Sequence, residues 1–117
     1  MKSILIVAFL FASLLSCTKP NSSNSGGDTP LECVGPAKSF TTDVRPLIQN
    51  TCATAISCHG AGSTTGPGPL LTYAQIFNVR ATIRSEVSSG HMPPGGGISN
   101  IDKNVIICWI NSGAPNN

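Results

Sequence analysis

The most informative stretch of the sequence is residues 50–60, Asn50-Thr51-Cys52-Ala53-Thr54-Ala55-Ile56-Ser57-Cys58-His59-Gly60. The segment contains two cysteines separated by five residues, and a histidine follows the second cysteine directly. Such closely spaced thiol and imidazole groups can form a local disulfide beside a surface histidine, hold a metal ion or attach a prosthetic group. The sequence outside this segment is needed to choose among the three.

A cysteine followed by histidine, with another cysteine upstream, is the arrangement used for covalent haem attachment. Each thiol adds to a vinyl group of the haem, and the adjacent histidine then binds the iron as its proximal ligand. The common spacing places two residues between the cysteines, whereas this sequence has five. We expect the additional residues to bulge outward, so that Cys58 and His59 keep their relation to the iron.

A second informative segment is Gly90-His91-Met92-Pro93-Pro94-Gly95. A methionine thioether is a soft ligand for the distal side of haem iron, and Met/His ligation is usual in cytochromes c. The proline after Met92 disfavours the α region for that residue, which predicts a stiff, extended loop. His91 is the rival distal ligand, and a packing role is the alternative for Met92.

Three segments have the periodicity of amphipathic helices, and no strand pattern competes with them, so we predict an all-α domain. The first is predicted from about Asp43 to Cys52, with Thr42 or Asp43 as N-cap. The second is predicted from about Tyr73 to Ser88, with Gly90 as its stop. The third begins at the N-cap Ser99 and ends at Gly113. The apolar residues expected on these helix faces include Val44, Leu47, Ile48, Ile76, Phe77, Ile83, Val87, Ile101, Val105, Cys108 and Trp109.

The N-terminal 16 residues are predicted to be a lipoprotein signal peptide. Met1-Lys2-Ser3 gives a positive start, and the apolar run Ile4–Leu15 is shorter than the roughly 20 residues of a membrane-spanning helix. Leu14-Leu15-Ser16-Cys17 resembles the bacterial lipobox, in which the cysteine becomes the acylated first residue; an ordinary signal with a chance cysteine is the alternative. We therefore expect lipidation of Cys17, with the protein on the periplasmic or surface side of a bacterial envelope membrane.

The remaining sequence divides into a tether and one domain. Residues 17–37 comprise the lipidated cysteine and a segment rich in Ser, Asn, Gly and Pro, which predicts a flexible tether. Residues 38–117 form a domain of roughly 80 residues, a size at which an unaided core is marginal. Its few aromatic residues are Phe40, Tyr73, Phe77 and Trp109. We expect a cofactor or disulfides to supplement this core.

The charge and motif content excludes several classes of function. The formal net charge is only +2, and it falls by one if Lys2 leaves with the signal, so nothing indicates nucleic-acid binding. The sequence has no Ser/His/Asp constellation and no paired acid/base carboxylates. Gly95-Gly96-Gly97 lacks the Lys and Ser/Thr of a phosphate-binding loop. We therefore predict that the protein is not an enzyme.

The pattern Phe40-x-x-Asp43-Val44-x-Pro46-Leu47-Ile48, then Cys58-His59-Gly60, Met92-Pro93-Pro94 and Trp109-Ile110-Asn111-Ser112-Gly113-Ala114, resembles the small monohaem cytochrome c domains of bacterial envelope lipoproteins. The resemblance covers about Phe40 to Asn117. It implies a class I-like domain of about three helices around one haem, with the N- and C-terminal helices crossing beside it. It further implies thioether bonds at Cys52 and Cys58, axial ligands His59 and Met92, and exchange of one electron with redox partner proteins.

The same resemblance implies one role outside the ligand set, and the residues themselves suggest two more. A proline carbonyl in the loop Gly66-Pro67-Gly68-Pro69 would accept a hydrogen bond from Nδ1–H of the proximal histidine, and Pro67 and Pro69 are both candidates. Arg80 and Arg84, one turn apart, are candidates for contacting haem propionates or else form a solvated helix face. In an exported chain the two remaining cysteines, Cys33 and Cys108, are expected either to form a disulfide or to remain free thiols.

Electron transfer by one covalently attached haem c is thus the leading hypothesis, carried by a monomer that contacts the membrane through its lipid anchor. One alternative is a module without haem, held by disulfides Cys52–Cys58 and Cys33–Cys108. Another is a haem-based sensor in which a ligand such as a diatomic gas displaces Met92. A zinc site is a weaker variant, because Cys52, Cys58 and His59 lack a fourth ligand at the usual spacing.

Overall fold

The computed structural model describes residue 33 and residues 35–117, and this part of the chain is helical without β-strands. A π-helical turn, Phe40–Val44, leads into helix α1, Arg45–Thr51. Helix α2, Tyr73–Asn78, is followed by α3, Arg80–Ser89, and then by α4, Asn100–Asn111. The described residues therefore form an all-α arrangement, as predicted.

The predicted signal peptide, the acylation site Cys17 and most of the predicted tether lie outside the described residues. Within the described part, every helix is too short or too polar to span a membrane.

The first helix begins earlier than predicted, and its N-cap is Ser39. The Ser39 hydroxyl accepts a hydrogen bond from the Thr42 N–H at 3.4 Å, while the Ser39 N–H donates to the Asp43 carboxylate at 2.8 Å. The prediction of Thr42 or Asp43 as N-cap is wrong because Asp43 lies inside the first turn and serves there as the reciprocal acceptor. Pro46 follows as the second residue of α1, where the missing N–H is tolerated.

The predicted second helix is interrupted at Val79, whose backbone is non-helical with φ −113° and ψ 15°. Thr72 and Gln75 form a capping box at the start of α2. At its end the guanidinium of Arg80 donates to the Phe77 carbonyl at 2.7 Å and lies 3.9 Å from the centre of the Phe77 ring. Helix α3 then ends at Gly90 in the left-handed conformation, as predicted.

Helix α4 starts where predicted but buries a different face. The Ser99 hydroxyl caps it by accepting from the Asp102 N–H at 3.2 Å. The buried residues are Ile106, Ile107 and Trp109, whereas Ile101 is 77 % exposed. Because each residue advances about 100° around a helix, this buried face is rotated by roughly a third of a turn from the predicted one, with Trp109 common to both.

The core forms where α4 packs against α3 and the π-helical turn. The indole of Trp109 is fully buried and donates to the Pro115 carbonyl at 2.9 Å. The Phe40 ring lies 5.6 Å from that of Trp109 and 5.1 Å from that of Tyr73. The C-terminal residue Asn117 accepts hydrogen bonds from the N–H groups of Phe40 and Thr41, which ties the two ends of the domain together.

A disulfide joins Cys33 to Cys108, with 5.2 Å between their Cα atoms. It links the segment before the first helix to α4, across 75 residues of sequence. Closing a loop of this length restricts the unfolded chain, which stabilises the fold by about 4 kcal/mol at most.

Candidate functional site

The predicted haem-binding residues lie around two cavities that share four lining residues: Cys52, His59, Thr65 and Met92. The larger cavity has a volume of about 290 Å³ and lies against α1 and α3. The smaller one, of about 90 Å³, is also lined by Cys58. The structure thus brings together one thiol, the imidazole and the thioether at both cavities, with the second thiol at the smaller one.

The wall of the larger cavity is mostly apolar. Its polar side chains besides the shared residues belong to Thr82 and Glu86 of α3. The apolar residues of its wall are Ile48, Pro67, Leu70, Ile83 and Val87. This composition suits a large, flat, mostly apolar ligand better than a small polar substrate.

The segment between the two thiols folds back on itself after α1 ends. The Cys52 carbonyl accepts from the His59 N–H at 3.0 Å, which brings the two ends of the segment together. The Ala55 carbonyl accepts from the N–H groups of Cys58 and Gly60, at 3.0 and 2.8 Å. Residues 54–57 are exposed. The five intervening residues therefore loop outward while Cys58 and His59 stay close to Cys52.

Gly60 and Ser63, which both follow the second thiol in the sequence, hold this loop in its conformation. A Cβ atom at Gly60 would lie only 2.7 Å from the Ala55 carbonyl oxygen, so any side chain there would force the loop open. The buried Ser63 hydroxyl donates to the Cys58 carbonyl and accepts from the Thr65 N–H at 3.1 Å. The positions of Cys58 and His59 are thus fixed by backbone contacts on both sides.

The His59 ring is oriented by a backbone carbonyl. Its Nδ1 lies 3.0 Å from the carbonyl oxygen of Gly68. Since a carbonyl only accepts, Nδ1 carries a proton, and in the neutral ring the lone pair that can bind a metal is then on Nε2. The Leu70 N–H also donates to the His59 carbonyl, at 2.9 Å.

The prediction of Pro67 or Pro69 as this acceptor is wrong, because the carbonyl that reaches His59 belongs to Gly68 between them. A turn hydrogen bond from the Gly68 N–H to the Thr65 carbonyl, at 2.9 Å, folds the loop toward the imidazole. Gly68 has φ +83°, a conformation that glycine adopts without strain and the flanking prolines cannot adopt. Pro67 instead lines the larger cavity.

Both site cysteines are free thiols of intermediate burial. Burial raises the pKa of the Cys52 thiol, the charge of a Cys58 thiolate raises it further, and a contact with the Thr51 hydroxyl at 3.4 Å opposes these effects. Cys52 is therefore protonated near neutral pH.

Met92, and not His91, lines the cavities. The Met92 N–H donates to the Glu86 carbonyl at 3.2 Å, which anchors the loop to α3, and the Met92–Pro93 peptide bond is cis. The His91 side chain is 76 % exposed and faces the Glu86 carboxylate, with 3.6 Å between Nδ1 and Oε2. His91 lines neither cavity.

The two arginines considered for propionate contacts are engaged elsewhere. Arg80 stacks on Phe77, and the Arg84 Nε donates to the Asn111 side-chain oxygen at 3.0 Å. Neither arginine lines a cavity of the site. Within residues 33 and 35–117, no three His, Cys, Asp or Glu side chains are grouped so as to hold a metal ion.

No family model, curated protein or solved structure matches this chain.

Several contributors to the site were not identified from the sequence. Gly68 acts through its backbone carbonyl and Ser63 through a hydroxyl that binds backbone groups, and the sequence carries no specific signal for either contact. Ile48, Ile83 and Val87 were predicted as apolar helix positions, but their part in a cavity wall depends on how α1 and α3 pack. Gly60 was identified only as part of the motif, and its steric role became visible in the folded loop.

Proposed function

We propose that this chain is a monohaem c-type cytochrome that transfers one electron at a time. The observation that carries the proposal is that Cys52, His59 and Met92 line one apolar cavity, with Cys58 immediately beside His59. Two thiols, one imidazole and one thioether form the donor set that covalent haem with Met/His ligation requires. The resemblance of the sequence to small monohaem cytochrome c domains supports the same assignment.

The residues fit this group in chemistry as well as in number. The cavity wall is apolar, as the faces of a porphyrin require, and the unprotonated Nε2 of His59 suits an iron ligand. The Cys52 thiol is held in the protonated form by burial. When bound, haem supplies an iron atom that alternates between two oxidation states.

On this proposal the residues that form the site have separate roles. Cys52 and Cys58 would hold the cofactor covalently, and the Gly68 carbonyl orients the His59 ring and would strengthen its donor character. Met92 offers its sulfur from a loop anchored to α3 through the Glu86 carbonyl. The apolar wall excludes water. With two protein ligands at the iron, no position remains for a substrate, which is why we assign electron transfer and not catalysis.

The proposal also covers the class of cytochrome fold, the membrane anchor and the partners of the chain. The domain is class I-like, with about three helical regions around the haem and the terminal helices beside it. The chain is a monomer anchored through acylated Cys17 to a bacterial envelope membrane, and its partners are other redox proteins on the periplasmic or outer surface of that membrane.

The proposal is tested by producing the chain in a bacterial host that has haem-attachment machinery and recording its visible spectrum. We expect a Soret band and an α band that remain with the polypeptide after extraction with acidified acetone. The matched control is a variant carrying Cys52→Ala and Cys58→Ala, which should lose its haem in that extraction. A colourless, stably folded protein with a Cys52–Cys58 disulfide would overturn the proposal.

A further inference from the structure

The two thiols of the site are held in position in different ways. Cys52 directly follows the last residue of α1, and its N–H donates to the Ile48 carbonyl at 2.8 Å, so the helix itself fixes its backbone. Cys58 lies outside the helices, after a loop in which residues 54–57 are exposed. The position of Cys58 therefore depends on contacts between this loop and other parts of the chain.

Side-chain packing contributes little to holding the loop. Its largest apolar side chain, that of Ile56, is 66 % exposed. The loop also has three more residues than the common spacing between haem cysteines, and each additional residue adds backbone freedom that must be restricted. Hydrogen bonds must therefore supply most of the restraint.

Two hydroxyl groups that follow the motif supply hydrogen bonds of this kind. The Ser63 hydroxyl is buried, donates to the Cys58 carbonyl and accepts from the Thr65 N–H at 3.1 Å. The Thr65 hydroxyl donates to the Ser57 carbonyl at 3.3 Å. The two residues that end the loop are thus both bound through their carbonyls by hydroxyls of the segment 63–65.

Thr65 also belongs to the turn that orients the imidazole. Its carbonyl accepts from the Gly68 N–H at 2.9 Å, and the Gly68 carbonyl oxygen lies 3.0 Å from Nδ1 of His59. Thr65 lines both cavities. The same short segment therefore holds the backbone of the second thiol and the turn that supplies the hydrogen-bond acceptor of the imidazole, which keeps the two groups in a fixed relation.

We propose that Ser63 and Thr65 are positioning residues that place Cys58, but not Cys52, for its thioether bond; this inference rests on the proposed function. In that step the Cys58 sulfur bonds to the α carbon of a haem vinyl group, and the thiol hydrogen ends on the β carbon. The addition consumes no oxidant or reductant and releases no leaving group. Loss of either hydroxyl loosens the loop and slows this bond, whereas the bond at Cys52, which α1 positions, still forms.

Ser63 should have the larger effect because its hydroxyl is buried. In Ser63→Ala the Cys58 carbonyl and the Thr65 N–H lose their shared partner, and polar groups left unpaired away from water are costly. Thr65 is exposed, so water replaces its hydroxyl in part. We expect the share of haem-carrying chains with a free Cys58 thiol to rise about tenfold in Ser63→Ala and about threefold in Thr65→Val.

The experiment counts free thiols, because haem adds the same mass through one thioether bond as through two. The whole chain carrying Cys17→Ser, which cannot be acylated, is made with haem-attachment machinery, denatured without reductant and treated with iodoacetamide. Each free thiol then gains one alkyl group, while the disulfide Cys33–Cys108 stays unmodified. Fragmentation of the tryptic peptide 39–80, which contains both site cysteines, shows whether Cys52 or Cys58 carries the alkyl group.

Two controls separate positioning from general stability. Ser99→Ala removes the hydroxyl that caps α4 and lines neither cavity, so it should weaken the fold and leave both thioether bonds intact. Thr65→Ser keeps the hydroxyl that Thr65→Val loses, so it should return the share of free Cys58 to the wild-type value. The haem spectrum in alkaline pyridine gives an independent signature, because a remaining vinyl group extends the conjugation of the porphyrin. Its α band should move to longer wavelength in Ser63→Ala and not in Ser99→Ala.

Three results would overturn the positioning role in a chain that carries haem. One is a Cys58 thiol that is free as often in the wild type as in Ser63→Ala and Thr65→Val. Another is an equal rise of free Cys58 in Ser99→Ala. The third is a free thiol on Cys52 at least as often as on Cys58. If Ser63→Ala does not fold, the comparison of Thr65→Val with Thr65→Ser decides alone. A wild-type chain without haem, seen by intact mass before the thiols are counted, would overturn the proposed function instead.

Discussion

The Nδ1 atom of His59 lies 3.0 Å from the carbonyl oxygen of Gly68, nine residues further along the chain. This contact makes Nδ1 the protonated nitrogen and directs the lone pair of Nε2 to the other side of the ring. Any iron bound by His59 is therefore influenced by the backbone of the Gly66–Pro69 loop. Ligand orientation at this site is a property of the loop as much as of the histidine.

Replacing Gly68 should alter both stability and reduction potential. Alanine at φ +83° is strained by about 1–2 kcal/mol, and the carbonyl shifts away from His59. A weaker hydrogen bond makes the imidazole a poorer electron donor, so the potential of Gly68→Ala should rise. Gly95→Ala is the control, because Gly95 has φ +81° and open space around it. Urea unfolding should show similar losses for both variants, and a redox titration should separate them; equal potentials would contradict the role of Gly68.

Gly60→Ala should prevent the loop between the cysteines from closing. The new methyl group would lie 2.7 Å from the Ala55 carbonyl oxygen, and the backbone around it has no room to move without breaking the bonds to Cys58 and Gly60. We expect a loss of more than about 3 kcal/mol in unfolding free energy and little attached haem. Gly97→Ala is the control, since its Cβ would make only an ordinary contact with Pro93, at 3.6 Å. Normal haem content in Gly60→Ala, measured by absorbance per protein mass, would count against this description of the loop.

Met92→Ala should open a ligand position on the iron. The reduced wild-type protein is expected to bind carbon monoxide slowly or not at all, and the variant to bind it rapidly, because no thioether competes. Truncation of this partly buried side chain should also cost about 1–3 kcal/mol of stability. His91→Ala should behave like the wild type, since His91 is exposed outside the cavities. The prediction fails if His91→Ala, and not Met92→Ala, accelerates carbon monoxide binding.

Removing the disulfide should weaken the fold without changing the site. The double variant Cys33→Ala/Cys108→Ala frees a loop of 75 residues, and we expect a loss of about 2–4 kcal/mol in urea unfolding. The visible spectrum should not change, because neither cysteine lines a cavity. A spectrum altered as strongly as that of Met92→Ala would show that the bridge acts on the site itself.

The elements of the fold that the sequence predicted are those with local chemical signals. Ser99 caps α4 through its hydroxyl and Gly90 ends α3 in a left-handed conformation, and both residue types are strongly preferred at these positions. The break at Val79 was not predicted, because the apolar spacing continues through it. The buried face of α4 depends on where Trp109 meets Phe40, which no local pattern specifies.

The side chains of the candidate site could likewise be predicted from the sequence, whereas its backbone contacts could not. Side chains that carry chemistry, such as Cys52, His59 and Met92, stand out by residue type and spacing, and the structure places them around shared cavities. Backbone groups do not stand out, because every residue has a carbonyl. The acceptor for His59 was therefore placed on a neighbouring proline, when the turn at Gly68 supplies it.

The central claim is that the chain carries one haem held by two thioether bonds, and intact mass under denaturing conditions tests it most directly. The chain carrying Cys17→Ser, which cannot be acylated, is made with haem-attachment machinery and should exceed its polypeptide mass by one haem, and the further variant Cys52→Ala should still carry a haem through a single bond to Cys58. A denatured mass equal to that of the polypeptide alone would contradict the account.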